Sequence, residues 1–214
     1  MMKAYKEQLQ QTSEQRFITI AFDRDRIGRK LSEVQQENLC QLAQAEGNRL
    51  GTQLKQDFPE LLPSEIAELF GVDVLYKEYT IHESFTSIGY FEIPNQIVVN
   101  QKLKEKDSYF KEQGLPKMQF ENWKEIVIAH ELFHYIQEQT PELFVNQYRV
   151  ELWKLGPYHH QSSFSLLGEL AGMAFAKSLL SLDFYPGVIE WYLLYAYFPE
   201  KMVQQAELLL KETQ

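Results

Sequence analysis

Cysteine is almost missing from this chain. Cys40 is the single thiol in 214 residues, so no internal disulfide can form and the fold must rest on its core. Long apolar runs are missing as well: the longest, Trp191 to Phe198, has eight residues where a membrane-spanning helix needs ~20. The opening residues Met1-Met2-Lys3-Ala4-Tyr5-Lys6-Glu7-Gln8 lack the apolar stretch of a secretory signal. These absences predict a soluble, cytoplasmic protein with no membrane partner. Positive charge is short too, with 21 Lys plus Arg against 30 Asp plus Glu; the net charge of −9 repels a phosphate backbone, so no direct nucleic acid partner is expected. Pro63 to Val72 has the outline of the first half of a helix-turn-helix, but β-prone residues follow Gly71 where a recognition helix would begin.

What remains is enough for a core, with 44% hydrophobic and 14% aromatic residues. Residues 1–16 are polar and predict a frayed lead-in or surface helix, and Phe17-Ile18-Thr19-Ile20-Ala21-Phe22 has β-type content. From Ser32 to about Lys55 the spacing of Leu31, Val34, Leu39, Leu42 and Ala43 predicts a long helix, with Ser32 and Gln35 as a capping box. A second helix, Ser64 to Phe70, follows Pro63 and stops at Gly71. Segments 72–79, 88–93 and 97–100 then predict a small three-stranded antiparallel meander with a turn at Pro94-Asn95. Residues 101–121 are charged and irregular and read as a loop or short solvated helix. From Asn122, paired with Glu125 as an N-cap, helices are predicted over Trp123–Gln139, Ser163–Leu182, Val188–Tyr197 and Glu200–Glu212. The class is therefore α+β and mostly helical. Residues 1–61 form an N-terminal helical extension on a main domain, 62–214, and no linker separates the two.

The informative motif is Ala129-His130-Glu131-Leu132-Phe133-His134, a His-Glu-x-x-His inside the helix predicted from Trp123. Histidines at i and i+4 lie one above the other, so two imidazoles can meet one Zn²⁺ at ~2.0–2.1 Å while Glu131 reaches the metal-bound water. With only five histidines in the chain, a chance match is on the order of one in a hundred. The competing reading, two core histidines bonded to carbonyls, carries no chemistry. A hydrolytic zinc site needs a third protein ligand and an open position. The extended metzincin pattern would require Gly in place of Gln137 and His in place of Thr140, and has neither. Glu169 is the favoured third ligand, since Gly168, Gly172 and Ala176 near its face let two helices approach closely. His159, His160 and Glu151 are the rivals.

His130-Glu131-Leu132-Phe133-His134, followed by Glu169-x5-Phe175-Ala176-x2-Leu179-Leu180, resembles the ImmA/IrrE-type metallopeptidases. These are small gluzincins whose second motif usually reads Glu-x-Glu-Ala-(Asn/Asp)-x-Phe-Ala-x-x-Leu-Leu. Ile66 to Val74 resembles that family's helix and first strand, and Gly89 to Asn100 its strand pair, so the resemblance covers about residues 62–182. It implies a minimal zincin (gluzincin) core and a substrate such as a transcriptional repressor or an antitoxin-like regulator. Three positions depart from the pattern: Ala171 replaces the second Glu, Gly172 the Ala, and Met173 the Asn or Asp that commonly supports a zinc-binding histidine. Residues 101–121 stand as an insertion.

The expected function is a zinc-dependent endopeptidase acting on a protein or peptide, with His130, His134 and Glu169 on the metal and Glu131 as general base. Tyr158, His159 and His160 are candidates, by residue type, for the donor that stabilises the oxyanion. Strand 97–100 is a candidate edge for pairing with an extended substrate. The alternative is a non-proteolytic metal-binding or protein-interaction module on the same fold, using the aromatic 184–198 segment or the C-terminal helix. Manganese in place of zinc, and the oligomeric state, are left open by the residues.

Overall fold

Helix α3, Glu33–Asp57, begins where the capping box was expected: the Ser32 N–H donates to Gln35 Oε1 at 2.9 Å and Ser32 Oγ accepts from the Gln35 N–H. The computed structural model describes residues 2–82, 87–155 and 158–210, and the side chains of all of these except 152–155, 158–160 and 208–210. The buried stripe of α3 differs from the expected one. Val34 and Leu42 face solvent, whereas Leu39, Ala43, Gly47, Gly51 and Leu54 face inward. The reason is the neighbour: α3 packs along α8, Leu166–Leu179, and a Cβ at Gly47 or Gly51 would run into the α8 backbone at Ala171 or Phe175. Small residues, not large ones, set this helix pair's close approach.

Two N-terminal helices precede α3. α1, Met2–Gln11, is not a frayed lead-in, because Tyr5 and Leu9 are buried and the Tyr5 hydroxyl donates to the Trp191 carbonyl at 2.9 Å. α2, Glu14–Arg24, occupies the segment with β-type content. Ser13 caps it by accepting the Arg16 N–H, and Phe17, Ile18 and Phe22 bury one face, with Phe17 edge-on to Trp191 at 5.7 Å. Tertiary packing overrides the strand preference of the β-branched residues. The aromatic segment that these helices cover forms α9, Val188–Tyr195, and is core: Ile189, Trp191, Tyr192, Leu193 and Tyr195 are all buried. α10, Pro199–Leu210, closes the described chain.

Helix α4, Pro63–Leu69, starts with proline and ends before Gly71, whose φ of 73° only glycine adopts freely. Strands β1 (Asp73–Lys77), β2 (Gly89–Glu92) and β3 (Gln96–Asn100) follow, but they are not an antiparallel meander. The sheet is mixed, in the order β1-β3-β2, with β1 parallel and β2 antiparallel to β3. Ile97, Val98 and Val99 are fully buried on both faces, and such an unbroken apolar run belongs in the middle of a sheet. Strand 97–100 is therefore central, and the edges are β1 and β2, of which β2 packs by α6.

The charged stretch 101–121 is anchored. Two 3₁₀ turns and α5, Asp107–Glu112, turn their charges outward while Leu103, Phe110, Leu115 and Met118 enter the core. α6, Phe120–Gln139, starts earlier than expected, and Asn122 with Glu125 does not cap it: the Phe120 N–H donates to Asp107 Oδ1 at 2.8 Å. Glu125 instead accepts from the Ser64 N–H and Oγ, each at 3.0 Å, and so caps α4. After the short α7, Phe144–Gln147, an unforeseen hairpin of β4 (Arg149–Leu155) and β5 (Tyr158–Ser163) leads into α8, which therefore begins later than expected.

Candidate metal centre

Both helices that carry the motif residues are pinned before any ligand is considered. α8 lies between α3 and α6, and the α6 face around the motif is sealed by Ile128, Ala129, Leu132 and Phe133, all fully buried. His130 and Glu131 are buried with them, and His134 lies one turn on. From α8, Glu169 projects across the gap, with just over half of its side chain (55%) accessible on the cleft side.

The two imidazole Nε2 atoms are 3.2 Å apart, Glu169 Oε2 is 3.1 Å from His130 Nε2, and Glu169 Oε1 is 3.6 Å from His134 Nε2. Donors around a tetrahedral cation with bonds of ~2.0–2.1 Å stand roughly 3.3 Å apart; the imidazole pair is close to that value, and Glu169 meets the two rings with different oxygens, one donor per residue lying within 4.8 Å of the others. Among the described residues this is the one group of three or more His, Cys, Asp or Glu that can hold a metal ion. Glu151 lies on β4, exposed and outside the group. The backbones of Tyr158, His159 and His160 pair in β5 with Leu155, Lys154 and Trp153, while their side chains lie outside the described residues.

The support behind each histidine differs. His134 Nδ1 is 3.0 Å from Gln137 Oε1, an acceptor that fixes the proton on Nδ1 and leaves Nε2 free for a cation. The Gln137 amide in turn donates to Asn146 Oδ1 at 3.0 Å, and Asn146 Nδ2 donates to the carbonyls of Gln137 and Thr140 at 2.7 and 2.8 Å. Gly168 leaves room for that amide, since a Cβ there would lie 3.0 Å from Gln137 Oε1. On the other side, the Nδ1–Cε1 edge of His130 meets α8 at Gly172. Its Nδ1 is buried against this backbone and makes no hydrogen bond of good geometry among the described residues. Met173 offers no acceptor, and the ring is held by its close fit against Gly172.

Charge follows from this geometry. Burial disfavours a proton on His130, but its hydrogen bond to Glu169 and the nearby Glu131 carboxylate outweigh that, and its pKa is raised. Burial works against the Glu169 charge as well, yet the two histidines hold it at about 2. His134 is lowered by burial and by the adjacent His130. Glu131 is pushed up to about 7 chiefly by burial, against the pull of His130 and of the Phe91 N–H. A cation that displaced the His130 proton would meet one settled carboxylate and two imidazoles. The triad opens on a cleft of about 450 Å³ bordered by Phe91, Ile93, Glu138 and Asn146.

No protein-family model, characterised protein or solved structure matches this chain. The site is therefore read from its own geometry. Gln137 and Asn146 escaped the sequence reading although Gln137, three residues after His134, stands on the same helical face. Asn146 carries no such signal, because only α7 brings it back to α6.

Proposed function

We propose that this protein is a zinc-dependent endopeptidase that hydrolyses a peptide bond in a protein substrate, with His130, His134 and Glu169 as ligands and Glu131 as general base. The observation that carries this reading is the gathering of His130, His134 and Glu169, with one donor atom from each within 4.8 Å of the others, beside the buried Glu131 carboxylate. Two imidazole nitrogens and a carboxylate oxygen are a donor set that suits zinc. Bound zinc supplies an activated water and polarises the scissile carbonyl. Glu131, buried beside the two histidines, would take the proton of that water and return it to the leaving amine.

The edge strand gives the substrate a place. The Asn100 N–H donates to the Ile88 carbonyl at 2.8 Å, so the alternate residues Gly89 and Phe91 turn their peptide groups away from β3, and the Phe91 N–H is drawn to Glu131. An extended segment laid along β2 pairs with these groups and brings its scissile bond over the triad. A mixed sheet whose free edge lies above the motif helix supports reading the core as a gluzincin. The resemblance to ImmA/IrrE-type enzymes favours a repressor or antitoxin-like regulator as substrate. Tyr158, His159 and His160 are kept as oxyanion donors on residue type alone.

Zinc-loaded protein incubated with an unfolded protein should cleave it, and Glu131→Gln should retain metal and lose cleavage. Stoichiometric zinc without cleavage of any segment in a diverse peptide library would leave a metal-binding module and end the peptidase reading.

A further inference from the structure

A second cavity, of about 320 Å³, adjoins the triad toward the N-terminal end of α6 and shares His130 and Glu131 with the polar cleft. Its walls are apolar: Ile88, Ile126, Val127, Met173 and Ile189. Apart from the two motif residues, one charged group lines it. Glu190, in the first turn of α9, lines this cavity and also the neighbouring one, which runs past Met173 to Glu169. Glu190 is exposed, and it makes no hydrogen bond or ion pair among the described residues.

The nearest cation does not neutralise it by contact. The Arg24 guanidinium lies 5.5 Å over the Trp191 ring and donates to Gln205 Oε1 at 3.3 Å, so it reaches Glu190 only through space. Desolvation and the Glu169 charge hold the Glu190 pKa above the ordinary carboxylate value. An apolar passage ending in an unpaired carboxylate matches a flexible hydrocarbon stem with a cationic head. The chain's net charge of −9 steers such groups toward it.

Resting on the peptidase reading above, we propose that this cavity is a specificity pocket for a basic side chain, lysine or arginine, next to the scissile bond. The stem lies along Val127, Met173 and Ile189, and the head is held by Glu190. Substrates are then basic segments, cut beside a Lys or Arg.

Two Nα-acetylated hydroxamates separate the outcomes, one with an arginine side chain and one with norleucine, each prepared with the side chain on either side of the chelating group. Calorimetry on the zinc-loaded full chain should show the basic probe binding roughly ten- to a hundredfold more tightly than the apolar one. Glu190→Gln should remove most of that difference while metal content stays at one per chain. Equal affinities, a preference that survives Glu190→Gln, or no binding by either probe would overturn the pocket. Selective binding by a protein that cleaves nothing would keep the pocket and sink the peptidase. In metal-free protein, acetyl-argininamide should broaden in proton spectra where acetyl-norleucinamide does not, and the reverse or no difference again refutes the assignment.

Discussion

Replacing Gly172 by alanine tests the packing argument at its tightest point. An alanine Cβ would lie 2.8 Å from His130 Cε1, 2.9 Å from Nδ1 and 3.4 Å from Phe133 Cδ1. Ordinary carbon contacts are ~3.5–4.0 Å, so the ring has to withdraw by roughly 0.7 Å. Neither helix can yield easily, since α8 is held from behind by α3 at Gly47 and Gly51, and Phe133 on α6 is fully buried. Metal–ligand distances tolerate only about ±0.2 Å, so zinc affinity should fall on the order of ten- to a hundredfold. Stability gives an independent sign. Alanine is favoured over glycine inside a helix by ~0.8–1.0 kcal/mol, whereas overpacking costs ~1–3 kcal/mol. The metal-free variant should therefore melt about 0–8 °C lower, at ~2–4 °C per kcal/mol for a chain of this size. Chelator competition and calorimetric melting read the two quantities. A variant that binds zinc like the native protein and melts higher would show that helix propensity governs this position and that His130 is not held by shape.

Three other outcomes follow from the same contacts. Gln137→Ala removes the acceptor behind His134 and should weaken zinc binding roughly tenfold or more, by chelator competition, whereas Gln137→Glu keeps an acceptor and should retain binding; equal losses in both would refute the role. Glu125→Ala leaves the Ser64 N–H at the start of α4 unpaired and should cost about 1–2 kcal/mol in urea unfolding, with zinc affinity unchanged. In metal-free protein the raised His130 pKa gives stability that is complete below the ordinary ~6.5 and lost as pH rises through the higher folded value, while Glu169 gives stability complete above ~4.3 and lost as pH falls toward about 2. The pair stabilises most between those limits. Zinc must displace the His130 proton, so its affinity should climb with pH through that folded value and then level off; affinity independent of pH from 5.5 to 8.5 would contradict the assignment.

Local rules were legible wherever neighbours in sequence are also neighbours in space. The Ser32–Gln35 capping box, Pro63 opening α4 and Gly71 closing it are satisfied within a turn of chain, and each stands where it was read. The His130–Glu131–His134 spacing is of this kind, because one helical turn alone sets the two imidazoles side by side. Errors arose where a distant element chose the outcome. The Phe17–Phe22 segment became helix because Trp191 and the rest of α9 covered it, and the buried stripe of α3 moved to small residues because α8 demanded a close approach. Glu125, read as a cap for its own helix, capped α4 from 61 residues away.

The sequence by itself determined the chemistry available here: two imidazoles and a carboxylate on one turn, a second carboxylate as candidate third donor on a glycine-rich helix face, and no disulfide to support them. It could do so because residue type and helical period are local properties. Only the tertiary structure decided that the Glu169 carboxylate stands beside both imidazoles, that β2 and not β3 is an edge strand, and that Gly172, Gln137 and Glu190 border the same centre. Those facts depend on how α3, α6, α8 and α9 pack together, a balance of many small contacts between residues far apart in the chain that no local pattern records.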